Sequence, residues 1–459
     1  MAISLSPDVL VCGAGCAGLA AALASARTGA KTLLVERAPF AGGIITCAGL
    51  PYFDGVARKK DGVVMTRGIP VELLVRMGVC KPSDQVIFPH NVTIDSIERF
   101  KILADKMLQE EQNLQFLYHA FVADAVVNGD RIVEVVVATK GGLLRIKPTI
   151  VIDTTGDADI AARTGVPLDI FQEHMPMSLH FRIGNVVLKP DVGSIVMKPD
   201  VDGPGLTPGE VDGKLLSEIL QKAYEDGRIG NFYGPLISFR FAPNEAYVHG
   251  TRVVADATDP EDLTRAEMQG RIDAWTMFEL WKRQVPGFEN SYYISSGPYS
   301  GIRETRRILG QYVLTEHDVK EEKKFSDAVA TGCWFMDLHP NHPCPGSYKD
   351  WLRNAQEDGE GEKFPVELLG HQPSYYDIPY RSLQPRQVAN LLVAGRCHSA
   401  TRLAASSSRV TATAMAMGQA AGTAAALALK SRTTVQELKG EEVRDFLDQQ
   451  GAGPYDGPA

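Results

Sequence analysis

Residues 8–36 read DVLVCGAGCAGLAAALASARTGAKTLLVE, and this stretch decides the fold. Asp8–Cys12 is a short apolar strand, Ala17–Thr28 an alanine-rich helix and Lys31–Glu36 a second buried strand, so the order is strand, turn, helix, strand. Between the first strand and the helix lies Gly13-x-Gly15-x-x-Gly18. Gly13 permits the tight turn, Gly15 lets backbone approach a pyrophosphate, and Gly18 lets helix and strand touch. Ala14, Cys16 and Ala17 complete the turn, and the helix N-terminus adds partial positive charge toward phosphates. Glu36 ends the second strand, where a carboxylate accepts hydrogen bonds from a ribose diol and repels a 2′-phosphate. The segment predicts a dinucleotide site.

The rest of the 459 residues offers ample core, with 44% apolar residues. A formal net charge of −9 argues against a nucleic-acid partner and for a small molecule. Seven cysteines, Cys12, Cys16, Cys47, Cys80, Cys333, Cys344 and Cys397, lack the paired spacings of zinc or dithiol motifs and predict a reduced, cytoplasmic protein. His339, His342 and Cys344 fall close together in a proline-rich loop that reads as ordinary and polar, so no metal is expected. Met1 runs directly toward the first strand without a basic, cleavable leader. The small-apolar stretch Val410–Leu429 is interrupted by Thr411, Thr413, Gly418, Gln419, Gly422 and Thr423, which suits a close-packed internal helix better than a membrane span.

Helices are expected around Val71–Met77 and Ile94–Gln109, and strands at Leu114–Val127 and Arg131–Thr139 joined by an Asn128-Gly129-Asp130 hairpin. A further strand, Leu144–Asp153, ends in Thr154-Thr155-Gly156-Asp157. From about residue 168 to 380 the character changes to Phe-, Arg- and His-containing strands (Leu179–Ile183, Ile237–Phe241), a polar helix from Glu261 and proline-rich loops. Strand Asn390–Gly395 and the small-residue helix then restore the earlier character. The expected organisation is α/β: a Rossmann-like domain over 1–167 and 381–450, an inserted α+β substrate domain over 168–380, and a tail over 451–459.

Two segments favour FAD over NAD. The run into Thr154-Thr155-Gly156-Asp157 resembles the second glycine motif of flavoproteins, and Ala394-Gly395-Arg396 before a glycine-containing helix resembles the segment that meets the ribityl chain. Gly301-Ile302-Arg303-Glu304-Thr305-Arg306-Arg307-Ile308, Asn390 to Ala400 (NLLVAGRCHSA), Asp377 to Arg381 (DIPYR) and Asp256 to Pro260 (DATDP) resemble, in that order-defining set, an FAD-dependent oxidoreductase family with a single Rossmann domain of the glutathione-reductase type. His398, Arg402 and His249 depart from its usual residues. The resemblance implies that Gly13, Gly15 and Gly18 hold the pyrophosphate, Glu36 the ribose and Arg37 the adenine surroundings, with Val122 backbone beside the adenine. It places Gly42 and Gly43 by the ribityl phosphate, and assigns Thr155, Gly156 and Asp157 together with Gly395, Arg396, Ser408, Arg409 and Gly418 to the closing segments.

No second strand-linked GxGxxG is present, so a built-in NAD(P)H domain is not expected. Electrons would come from a small organic substrate and pass to oxygen, a quinone or a protein; assembly into a homo-oligomer is compatible with the sequence. Catalytic candidates are His398 as general base, Arg303, and the weaker His249 and His180. Arg303, Arg306 and Arg307 would share a cationic face if helical. Cys47 or His398 could carry a covalent flavin bond. The leading expectation is a dehydrogenase or oxidase; a monooxygenase fed by external NAD(P)H and a flavin subunit of an electron-transfer complex are the competing ones.

Overall fold

The computed structural model describes residues 5–79, 88–170, 174–187, 213–235, 237–242, 244–345, 364–365 and 367–457; Cys80 lies outside them. Strand β1 (Val9–Cys12), helix α1 (Cys16–Arg27) and β2 (Thr32–Val35) form as the sequence predicts. Both strands are buried throughout, as a central parallel sheet requires. β3 (Leu114–Leu117) extends the sheet beside β2. The expected strand over Leu114–Val127 is thus two strands: His119, at φ +53, turns the chain before β4 (Phe121–Asn128).

β4 pairs with β5 (Arg131–Thr139), and β5 with β6 (Gly142–Ile146), in a separate antiparallel meander. The hairpin is present, but Asn128 pairs with Arg131 and Gly129 alone supplies a positive φ, +63. The expected strand over Leu144–Asp153 also divides, into β6 and β7 (Ile150–Asp153). Pro148 has no N–H to offer a ladder. Its neighbours Lys147 and Thr149 donate to Leu5 and Pro7, and the chain crosses from the meander to the main sheet.

A second unit has its own core. β8 (Phe181–Gly184), β9 (Ile237–Ala242), β10 (Glu245–Val248) and β11 (Tyr292–Ser296) form an antiparallel sheet in the order β9-β10-β8-β11. Helix α2 (Pro260–Gln284) buries Ala274, Met277 and Trp281 among Phe181, Ile237 and Phe288 of that core. Asp259 caps it by accepting from the amides of Glu261 and Asp262.

Before residue 380 the chain packs again into the core around α1. β12 (Ala328–Gly332) pairs with β13 (Tyr376–Pro379), and Leu314, Val319, Ala330, Tyr376 and Ile378 join the core around α1 rather than that around α2. Polar, loop-rich composition set the sequence boundary there, whereas burial is decided by the partner these short strands find. Arg306–Ile308 is likewise a strand, paired with Leu168–Ile170, so the expected cationic helical face does not exist.

β14 (Leu391–Val393) returns beside β7, giving the parallel order β14-β7-β1-β2-β3. Helix α3 (Thr411–Ser431) then lies along α1. It is long and apolar enough to cross a membrane by length and composition, but 89% of its most apolar window is buried in the protein. A Cβ at Gly418 would stand 2.0 Å from the carbonyl oxygen of Ala17, and one at Gly422 2.1 Å from that of Ala21. The four-residue spacing on both helices explains the small residues: they let two backbones touch.

Candidate functional site

One chamber of about 1270 Å³ runs from the glycine turn to the face of the second sheet. At its first end Gly13 (φ +97) follows β1; a Cβ there would meet Thr154 O at 2.7 Å. Gly43 has φ +54 and ψ −117, and its Cβ would lie 2.6 Å from the Cα of Gly15. Two backbone turns therefore approach as only glycine allows. Gly15, Cys16 and Ala17 line the chamber at the start of α1, which has neither a side-chain cap nor an acidic first turn. Glu36 accepts from the amides of Ala14 (2.6 Å) and Ala38 (2.8 Å), and its carboxylate stands on the wall with lone pairs to spare.

Arg37 also lines the chamber, 5.3 Å from the ring centre of Tyr299. Asp153 ends β7 buried; burial raises its carboxyl above the usual range while amides of Ile160 and Ala161 bind it. Beyond it Thr155, Gly156 and Asp157 face the chamber with Gly395 and Arg396. Arg396 pairs with Asp157 at 2.7 Å, and Thr305 donates to the same oxygen. Burial pushes the Cys16 thiol up to about 12 and the Cys47 thiol to about 11, so both stay protonated at neutral pH.

Several expected contacts serve the scaffold instead. Gly18 packs against Gly13 O, Gly418 against Ala17, and Gly42 donates its amide to Ala14 O. Val122 pairs with Val137 in the meander, off the chamber wall. His398 is wholly buried and does not line the chamber. Its Nδ1 donates to Gly395 O at 2.7 Å and its Nε2 accepts from Ser408 at 3.0 Å. Burial lowers it to about 4, so the ring is neutral. The two bonds tie the β14 turn to the helix ahead of α3, and Ser408 is occupied by this tie.

The far end brings together Arg303, His249 and His180 with residues the sequence reading did not single out: Asp337, Tyr233, Arg252 and Trp334. His339, first read as part of an ordinary loop, also lines the wall. Arg303 donates to Pro176 O, to Ser178 Oγ (3.0 Å) and to His249 Nε2 (2.9 Å). Ser178 also accepts from Arg252 at 2.7 Å, so one hydroxyl serves two guanidinium groups. Arg252 lies 4.7 Å from the ring centre of Tyr233. His180 donates from Nδ1 to Ala48 O and packs edge-on to His249 at 4.3 Å. Burial, then Arg303, lowers His180 to about 3. Burial opposes the charge on Asp337, but His339, Arg409 and Arg303 outweigh it and hold the carboxyl below its usual range. Only the adjacency of an Asp and a His in a proline-rich loop, Asp337 and His339, hinted at this wall.

The FAD dependent oxidoreductase family matches residues 8–447. The chain belongs to that family. FAD is accordingly its cofactor, and the glycine cradle, the uncapped start of α1 and the carboxylate of Glu36 fit a flavin dinucleotide. No curated protein matches the chain. Among solved structures, this FAD-dependent oxidoreductase is similar to GidA of Aquifex aeolicus in its form I crystal, with 18% identity over 98% of this chain and 71% of that one and a TM-score of 0.47. It is also similar to a geranylgeranyl bacteriochlorophyll reductase-like protein from Thermoplasma acidophilum, with 12% identity, 97% and 84% coverage and a TM-score of 0.46. A flavoprotein/dehydrogenase from Cytophaga hutchinsonii gives 14%, 97%, 84% and 0.43.

Proposed function

We propose that this protein is an FAD-dependent dehydrogenase or oxidase that exchanges a hydride with a small polar organic substrate held at the far end of the chamber. The observation that carries this reading is the chamber itself. A dinucleotide cradle and a wall of buried Arg and His side chains share one chamber. When bound, FAD supplies a two-electron acceptor or donor.

The protein's own residues would do the rest. Gly13, Gly15 and Gly43 admit the diphosphate, and Glu36 accepts from the ribose. Arg303, fixed by three partners, orients the substrate at low rotamer cost. His180, neutral and with Nδ1 bound to Ala48 O, offers Nε2 as a hydrogen-bond acceptor for the substrate. His398 has no part in this account.

The test is anaerobic mixing of purified holoenzyme with sugars, hydroxy acids, amines and enones. One class should bleach the flavin without NAD(P)H. Bleaching that occurs only with NAD(P)H, and accelerates with an aromatic substrate, would replace this reading with monooxygenation.

A further inference from the structure

Buried polar atoms rarely lack partners. Yet five around Arg303 have none among the described residues: Nε2 of His180, Nδ1 of His339 and Nε of Arg409 on the chamber wall, and Nε and Nη2 of Arg252 behind it. Charge is unbalanced in the same place. The strongest charged neighbours of Arg303 are Arg252, Arg409 and Asp337, and Asp54 on the chamber wall acts on Arg409, so three guanidinium groups face two carboxylates. Glu304, next in the chain, is committed to Arg402 (2.9 Å) and Arg307 (3.6 Å). Guanidinium groups do not shed their protons in proteins, so this burial is a standing demand for an anion.

The hydrogen-bond inventory narrows the anion further. Arginine can only donate, and its planar fork matches a carboxylate. His180 is different: a carbonyl can only accept, so Nδ1 must hold the ring proton against Ala48 O, and Nε2 is a bare lone pair. His339 sits 3.4 Å from Asp337 through Nε2, leaving Nδ1 as a second acceptor. The wall thus offers cationic donors beside neutral acceptors.

We infer that the substrate is an organic carboxylate that also bears a hydroxyl, its carboxylate held by Arg303 and Arg409 and its hydroxyl donating to Nε2 of His180. This rests on the far end of the chamber being the substrate site, as proposed above. Sugars, amines and enones without a carboxylate leave the excess positive charge unanswered. The burial that keeps His180 neutral, pressing it to about 3, also keeps the acceptor available across the physiological range.

The test uses purified holoenzyme and three acid–amide pairs of increasing size: glycolate and glycolamide, malate and malamide, mandelate and mandelamide. Binding is read by calorimetry and by perturbation of the bound flavin's visible spectrum, with no turnover required. At least one acid should bind about tenfold or more tighter than its amide, the scale of a hydrogen bond to a charged group. The same acid should exceed its analogue lacking the hydroxyl, for malate succinate. Arg303→Gln should lower the acid to the level of its amide, and His180→Phe should lower it to the level of the deoxy analogue. If no pair favours the acid in flavin-loaded wild-type protein, the inference falls whether or not the variants fold. A neutral compound that bleaches the flavin while no acid binds would sink this inference and leave the dehydrogenase reading standing. Acids that bind without any compound bleaching the flavin would do the reverse.

Discussion

Replacing Gly43 by alanine tests the cofactor cradle most directly. Gly43 sits at φ +54, ψ −117, where a Cβ is strained on its own account by about 1–3 kcal/mol. The new methyl would also lie 2.6 Å from the Cα of Gly15, closer than carbon atoms pack, so the two turns must separate. Overpacking of this kind costs about 1–3 kcal/mol more. Without the dinucleotide the Gly42-Gly43 turn can relax outward, but binding needs both turns close. Most of the cost should therefore appear as lost affinity, and about 3 kcal/mol corresponds to roughly a hundredfold. The assay is FAD titration into apoprotein, with the flavin-to-protein absorbance ratio of the purified variant beside it. Gly129→Ala is the control. It has a positive φ of +63 at a hairpin tip with nothing within 4 Å of its Cβ, and should lose a little stability while keeping its flavin. If G43A binds FAD as wild type does, the Gly15–Gly43 approach is not the pyrophosphate site.

His398→Ala should destabilise the fold by about 3 kcal/mol, as loss of a buried ring does, while substrate-driven flavin reduction changes by less than about threefold; a loss near a hundredfold would restore it as a base. Gly418→Val drives a side chain into the Ala17 carbonyl and should cost at least about 2 kcal/mol in chemical denaturation, with flavin released earlier than in wild type; an unchanged midpoint would contradict the helix contact. Asp273, on the buried face of α2, is raised by burial to about 6 from 3.8. Its protonated form is the favoured one in the fold, so its contribution is intact below about 3.8 and lost as pH rises to about 6. Asp273→Asn should therefore stabilise the protein above pH about 6, by up to roughly 3 kcal/mol, and little near pH about 4; a pH-independent difference would refute this.

The cofactor half of the molecule was legible because its signals are local. A glycine at each backbone contact, an acidic residue closing β2 and a small-residue helix are all consequences of neighbours a few residues away. The strand breaks at His119 and Pro148 were harder, since each apolar run reads as continuous and only the partner strands show that it serves two sheets. His398 misled for a related reason. Its motif places it near the cofactor in sequence, but Gly395 O and Ser408 claim both nitrogens. The far wall was least legible. Arg252, Arg303 and the Asp337–His339 loop come from distant segments, and beyond that one Asp–His pair no spacing in the chain announces that they meet.

The position of β14 carries a consequence for how the protein is made. Residues 391–393 complete an edge of the sheet whose other strands are finished by residue 153, and α3 arrives later still. During synthesis the flank of β7 and the alanine face of α1 wait through more than half of the chain without their cover. An unpaired strand edge of that kind recruits other chains. Messages cut short before the codons for α3 should accordingly yield aggregates or degraded fragments rather than a smaller soluble domain, and chaperone demand should peak while the middle of the chain is being translated.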